Sequence, residues 1–179
     1  MRRWPKRGAI LAMATSAILI VGYVYYQYRY PYGWSHCCDK LLQQKLFNYA
    51  DLHDEWFPQG EITPEASLSL LYRQDPTLLE TLRGKSISRA VVEEQLDRDK
   101  LLSPDTCGWY YIEGLRKDDD PRIALFWDKT GLGHNGERLT DGGHWVCFVS
   151  GTIDYVPGAV WESFLAEQAR LRSRLIRKK

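Results

Sequence analysis

Between Gly8 and Tyr28 the chain has no charged side chain. It also lacks internal repeats and low-complexity linkers, and it is sparing with methionine (2) and histidine (4). The formal net charge of +1 leaves no global field to gather nucleic acid, so no nucleic-acid partner is expected. No Cys-x-x-Cys or EF-hand spacing occurs. At 179 residues the chain is long enough for one ordinary domain and an appendage.

What is present begins with the uncharged stretch itself, GAILAMATSAILIVGYVYYQY. As a helix rising about 1.5 Å per residue it spans about 30 Å, the thickness of a bilayer's hydrocarbon core. Arg2, Arg3, Lys6 and Arg7 precede it and Arg29 follows. The positive-inside bias then places Met1 in the cytoplasm and the bulk of the chain outside. Tyr23, Tyr25, Tyr26, Tyr28, Tyr30, Tyr32 and Trp34 crowd the outer boundary, where amphipathic rings favour headgroup depth. A cleaved secretory signal shares the basic start, but the apolar run is long for one and no small-x-small site follows. The expectation is a cytoplasmic basic segment over 1–7, a transmembrane helix over 8–28 and an extracytoplasmic head over 35–179. Gly8, Ala9, Ala12, Ala14, Ser16, Ala17 and Gly22 offer small surfaces for close helix approach in lipid.

Outside the cytoplasm, Cys37, Cys38, Cys107 and Cys147 are in a compartment that permits disulfides. Adjacent cysteines seldom bond to each other, so one of Cys37 and Cys38 with Cys107 is the candidate bridge, and Cys147 reads as a small core hydrophobe. His36-Cys37-Cys38 lacks the gapped spacing of a metal site. Asp118, Asp119 and Asp120 have the oxygen chemistry to hold calcium, but three acids before Pro121 read as a solvated turn. No cofactor or metal is expected.

Pro31 and Gly33 should break the first helix. A spine helix then follows from an N-cap at Ser35 to Pro58, with Leu42, Leu46, Tyr49, His53 and Trp56 on one stripe. EASLSLLYR and TLLETLRGK read as short helices, and SRAVVEEQLDRDKLL as a third or as an extended segment. GWYYIEGL, RIALFWDK and HWVCFVSGTIDYV read as strands, the last a hairpin turning at Ser150-Gly151. A terminal helix places Trp161, Phe164, Leu165 and Leu171 inward. Trp145, Cys147 and Val149 alternate with Val146 and Phe148, so the strand needs a layer on each face: spine helix on one, C-terminal helix on the other.

CDKLLQQKLFNYADLHDEWFP, directly after a membrane segment, resembles the opening of the bacterial prepilin-type His-x(9)-Asp-Gly family. Leu41, Gln44, Asn48, Tyr49, Asp51, Phe57 and Pro58 sit where that pattern has them. YYIEGL with IALFWDK resembles its middle strands, and GGHWVCFVSGTIDYV its closing hairpin. The family's Asp-Gly falls on Ser150-Gly151, which keeps the glycine and loses the acid. Its histidine falls on Thr140, or on His134 if residues are inserted between. Arg7-Gly8 resembles a prepilin processing site, with cleavage between Gly8 and Ala9, although Met13 occupies the position of the usual glutamate.

The resemblance implies an α+β fold in which a long N-terminal helix packs on a small antiparallel sheet. It implies a non-enzymatic, pseudopilin-like structural or assembly protein of a type II secretion or type IV pilus system. Such a protein is single-pass in the bacterial inner membrane, has a periplasmic head, and takes membrane lipid and other pilin-like or secretion-system subunits as partners. Two alternatives are a tethered ligand-binding or sensor head with the 130–143 loop as its mouth, and a tethered hydrolase using His134, Asp141 or His144.

Overall fold

The computed structural model describes residues 4–34 and 39–176. The expected N-cap at Ser35, His36, Cys37, Cys38 and the last three basic positions lie outside the described residues. Helix α1 (Trp4–Arg29) opens the chain, with Pro5 in its first turn, where a missing N–H costs nothing. It stops where the sequence predicts: Pro31–Gly33 form a turn in which Gly33 takes φ +80° and donates to Tyr30 O at 3.0 Å. The 22 residues Gly8–Arg29 are long and apolar enough to cross a membrane.

Helix α2 (Asp39–Asp51) buries Leu42, Leu46 and Ala50, one stripe at helical spacing. It ends at Asp51 and does not run on to Pro58. Asp54 and Glu55 adopt left-handed φ values of 51° and 67°, which no helix continues through. Beyond them the backbone pairs with 115–117: Phe57 N donates to Leu115 O at 3.1 Å, and Lys117 N to Glu55 O at 2.9 Å. Trp56 therefore faces Arg116 in a β-bridge, and His53 is exposed instead of joining the stripe.

The predicted EASLSLLYR helix is two pieces, α3 (Pro64–Ser67) and α4 (Ser69–Gln74). The Thr63 hydroxyl caps α3 by accepting from Ala66 N at 3.1 Å. Buried serines flank the break: Ser69 Oγ accepts from Leu102 N at 2.7 Å and Ser67 Oγ donates to Glu113 Oε1 at 2.9 Å. A 3-10 turn (Pro76–Leu78) leads into α5 (Leu79–Leu82), and Ser88 caps α6 (Arg89–Asp99).

Four antiparallel strands follow in the order β1-β2-β3-β4: Trp109–Tyr111, Ala124–Asp128, His144–Phe148 and Ile153–Val156. Every residue of β2 is buried. An irregularity between Ala124 and Phe126 lets Leu125 bulge and accept from Ile112 N at 2.9 Å. One face of the sheet carries Leu125, Phe126, Cys147 and Val149 into a core shared with Leu42, Leu46 and Ala50 of α2. The other carries Ala124, Trp127, Val146 and Val156 against Trp161, Phe164 and Leu165 of α7 (Trp161–Ile176). The two-sided cover predicted from the strand pattern is present. Leu171 differs from its neighbours by reaching the first core. The structure is thus a mixed helix-and-sheet head following an apolar N-terminal helix.

Buried aromatic side chains have their polar tips satisfied: Trp109 Nε1 donates to Thr81 O at 2.7 Å and Tyr111 OH to Pro58 O at 2.8 Å. Gln168, buried on α7, uses both ends of its amide. It accepts from Ala124 N at 2.8 Å and donates to Arg122 O at 3.1 Å, which fastens the last helix to the start of the central strand.

Candidate functional site at the junction of helix and head

Helix α1 makes no apolar core with its own chain: the membrane-length window is 0 % buried. Ile10, Leu11, Ile18, Leu19, Val21 and Val24 all stand exposed. A helix apolar on all sides and left uncovered has the surface of a membrane-crossing segment.

A helix ends with backbone carbonyls that have no partner within it. At the end of α1 the partner comes from far along the sequence, in the loop between β2 and β3. Arg138 N donates to Arg29 O at 2.8 Å, and Arg138 Nε donates to Tyr28 O at 3.1 Å. The Arg138 guanidinium also lies over the Tyr28 ring, 5.1 Å from its centroid. In return Arg29 Nη1 donates to Arg138 O at 3.2 Å. Arg138 thereby caps α1, its positive charge at the negative end of the helix dipole. Tyr26 and Tyr30 pack beside this contact with ring centroids 5.3 Å apart, and Tyr26 OH accepts from Trp34 N at 3.3 Å.

The segment holding Arg138 is closed on itself. Leu132 bridges Arg138, Gly133 N donates to Glu137 O at 2.7 Å, and Asn135 N donates to Glu137 Oε2 at 2.8 Å. The Gly-rich loop is thus a small hairpin clipped to α1. His134, on its tip and half exposed, reaches Asp39 Oδ2 at 4.0 Å.

Behind Asp39 is a buried ionic group. Lys85, with a side chain 0 % exposed, donates to Asp39 Oδ1 at 2.9 Å. Its ammonium lies 5.7 Å from the centroid of the Trp109 ring. Asp128, at the end of β2, is also buried. Its Oδ1 accepts from Thr130 N at 2.8 Å and from Thr130 Oγ1 at 2.5 Å, while its Oδ2 has no hydrogen-bond partner. Burial pushes this carboxyl above the usual carboxylate range, and the Lys85 charge pulls it back only in part. Among the described residues no group of three or more metal-ligating side chains converges.

The residues singled out in the sequence fall in separate places. Ser150 and Gly151 form the β3–β4 turn, Gly151 at φ +81°, and Gln43 Nε2 of α2 donates to Gly151 O at 2.9 Å. Thr140 is exposed, near the end of the loop. Asp141 ties that end down: it accepts from Tyr155 OH, from Gly143 N at 3.3 Å and from Gly158 N at 3.4 Å. The Tyr155 hydrogen bond lowers the Asp141 carboxyl; burial and that same bond push the Tyr155 phenol up to about 12. His144 stacks on Trp161 at 4.1 Å, and its Nδ1 lies 2.9 Å from Asp128 O. Cys147 is buried, and burial drives its thiol far above the ordinary range, the opposite of what a nucleophile needs. His134, Asp141, His144 and Cys147 thus each have a different partner.

Cys107 is also buried, its thiol pushed up to about 12 by burial and donating to Leu82 O at 3.6 Å. Cys37 and Cys38, the other half of the expected bridge, lie outside the described residues. Gly8 and Ala9 lie on α1 and are exposed. The three acids of the 118–120 turn are held by neighbouring arginines: Arg116 Nε donates to Asp118 Oδ1 at 2.8 Å, Arg116 N to Asp119 Oδ2 at 2.8 Å and Arg122 Nη2 to Asp120 Oδ2 at 2.7 Å.

Sequence reasoning missed Arg138 and Lys85. Arg138 is in a polar loop with no local mark of its role. Lys85 follows Leu82 and Gly84 in a stretch that reads as a helix end, where lysine is common. Comparison with family models, with curated proteins and with solved structures finds no match for this chain.

Proposed function

We propose that this chain is a membrane-anchored, pseudopilin-like structural or assembly subunit, related to those of type II secretion or type IV pilus systems. Its α1 stands in the bacterial inner membrane, with the N-terminus cytoplasmic and the head periplasmic. The observation that carries this reading is the wholly uncovered α1, whose apolar surface demands lipid or neighbouring helices. Two features add support. The spine helix lies on one face of a small antiparallel sheet, as the resemblance implies, and the head grips the end of α1, so the anchor holds the head in a defined orientation. The work is association: helix with helix in the bilayer and head with head outside it.

The test is the mass and N-terminal residue of the chain purified from membranes, with an alkaline carbonate wash of the vesicles. A chain that resists the wash and starts at Ala9 is a processed pilin-like subunit. One that resists it with Met1 retained is a fixed anchor and removes the filament-forming part of the proposal. Release of the full-length chain by carbonate overturns the anchored reading altogether.

A further inference from the structure

We propose that Arg29 and Arg138 together seat the phosphate of an anionic phospholipid at the outer surface of the bilayer. This rests on the anchored reading above. The rise from Val24, the last aliphatic residue of the apolar run, to Arg29 is about 8 Å along the helix, which brings Arg29 to headgroup depth. Arg138 is held at that same depth, since it donates to Tyr28 O at 3.1 Å and to Arg29 O at 2.8 Å. Two arginines, each held by the other's main chain, therefore stand where lipid phosphates are densest.

Each has donors to spare. A guanidinium carries five N–H groups. Arg29 spends one on Arg138 O, through Nη1, and Arg138 spends its Nε on Tyr28 O. Among the described residues neither meets a carboxylate, in contrast to Arg116 and Arg122, which are paired with Asp118 and Asp120. Both Nη groups of Arg138 are left, and the side chain is exposed. The Tyr28 ring beneath it, at 5.1 Å, holds the plane of the fork in place, which lowers the entropy lost on binding. A forked donor pair matches phosphate oxygens two at a time. The tyrosines around it fit the same depth, their rings in the acyl boundary and their hydroxyls among headgroups.

The test uses the full chain in detergent micelles doped with phosphatidylglycerol or phosphatidylcholine, with retained lipid counted by native mass spectrometry. The wild type should retain phosphatidylglycerol in preference. Arg29→Gln and Arg138→Gln should each lower that retention about fivefold, the effect of one surface arginine on an anionic lipid, and leave phosphatidylcholine unchanged. Arg29→Gln leaves both donations from Arg138 to the helix end intact and removes only its own bond to Arg138 O. Lost retention with unchanged amide exchange over 131–138 therefore reads the lipid and not the fold. Unchanged phosphatidylglycerol retention in both variants overturns the proposal. Displacement of the lipid by millimolar inorganic phosphate also overturns it, because the seat would then serve a free anion. So does copurification of an acidic protein lost in both variants in lipid-free micelles. Release by carbonate would strike the anchored reading itself; a chain that stays in the membrane without lipid preference removes the phosphate seat alone.

Discussion

Arg138 and Arg29 hold each other through their main chains and one side chain, across 109 positions of sequence. The end of a helix that touches no core of its own is finished by a residue of the loop between β2 and β3. Replacing Arg138 by Ala keeps its backbone N–H but removes the bond to Tyr28 O and the charge at the helix terminus. The expected local loss is about 1–2 kcal/mol, read as roughly tenfold faster amide exchange over 131–138. Unchanged exchange in this variant would show that the cap contributes nothing.

Lys85 and Asp39 are a buried ion pair that fixes the start of α2 to the segment after α5. Lys85→Met should cost about 3–5 kcal/mol, because it strands a buried carboxylate. Asp39→Asn combined with Lys85→Met should recover much of that loss, since no uncompensated charge remains. Urea denaturation of the single and double variants measures both. Additive losses would mean that the two side chains do not act as a pair.

Asp128 and Asp141 should give stability profiles of opposite slope. Burial raises the Asp128 carboxyl, so the folded chain holds that proton more tightly than the unfolded one. Its contribution is full below the unfolded carboxylate value and falls as pH rises through the folded value. The Tyr155 hydrogen bond lowers Asp141, whose contribution is present above the unfolded value and is lost as pH falls through the folded one. Denaturation midpoints from roughly pH 3 to pH 8 should lose the downward slope in Asp128→Asn and the acid-side loss in Asp141→Asn. Parallel profiles for the two variants would contradict the assignment.

The glycines should differ sharply in tolerance. A Cβ on Gly108 would lie 2.5 Å from Arg83 O and 2.8 Å from Gly84 Cα, both of them backbone atoms. Gly108→Ala should cost about 3 kcal/mol or prevent folding. At Gly151 the nearest atoms are side-chain ends, Gln43 Nε2 at 3.3 Å first, so the cost is mainly that of φ +81°. About 1 kcal/mol is expected for Gly151→Ala, and thermal melts of the two should rank accordingly.

If α1 associates with copies of itself in the bilayer, Gly8→Leu or Ala12→Leu should reduce crosslinking between copies severalfold. The circular dichroism of the head should not change. Equal crosslinking yields would place the contact on another face or remove it.

Much of the architecture could be read in the residues because it depends on local pattern. The uncharged run announced α1, the Pro31–Gly33 break its end, and Leu42 and Leu46 the buried stripe of α2. The apolar strand HWVCF required a layer on both faces and has one. Where the reading went astray, a distant segment had overridden local preference. His53 and Trp56 continued a helical stripe, yet pairing with 115–117 takes the backbone out of helix. The single EASLSLLYR helix is divided at Leu68, between serines that bond to residues 102 and 113. Arg138 was illegible for the same reason, since its partners are carbonyls more than a hundred positions away and carbonyls have no sequence signature.

The Gln168 clip also has a bearing on the order in which the molecule can be completed. A ribosome delivers 161–176 after all four strands, so the outward side of the central strand remains greasy and uncovered until that segment emerges. The Ala124 amide and Arg122 carbonyl likewise wait for that amide side chain. A truncated product lacking α7 would present Trp127 and Val146 to solvent as an adhesive surface, so premature termination should yield aggregates instead of a smaller working head.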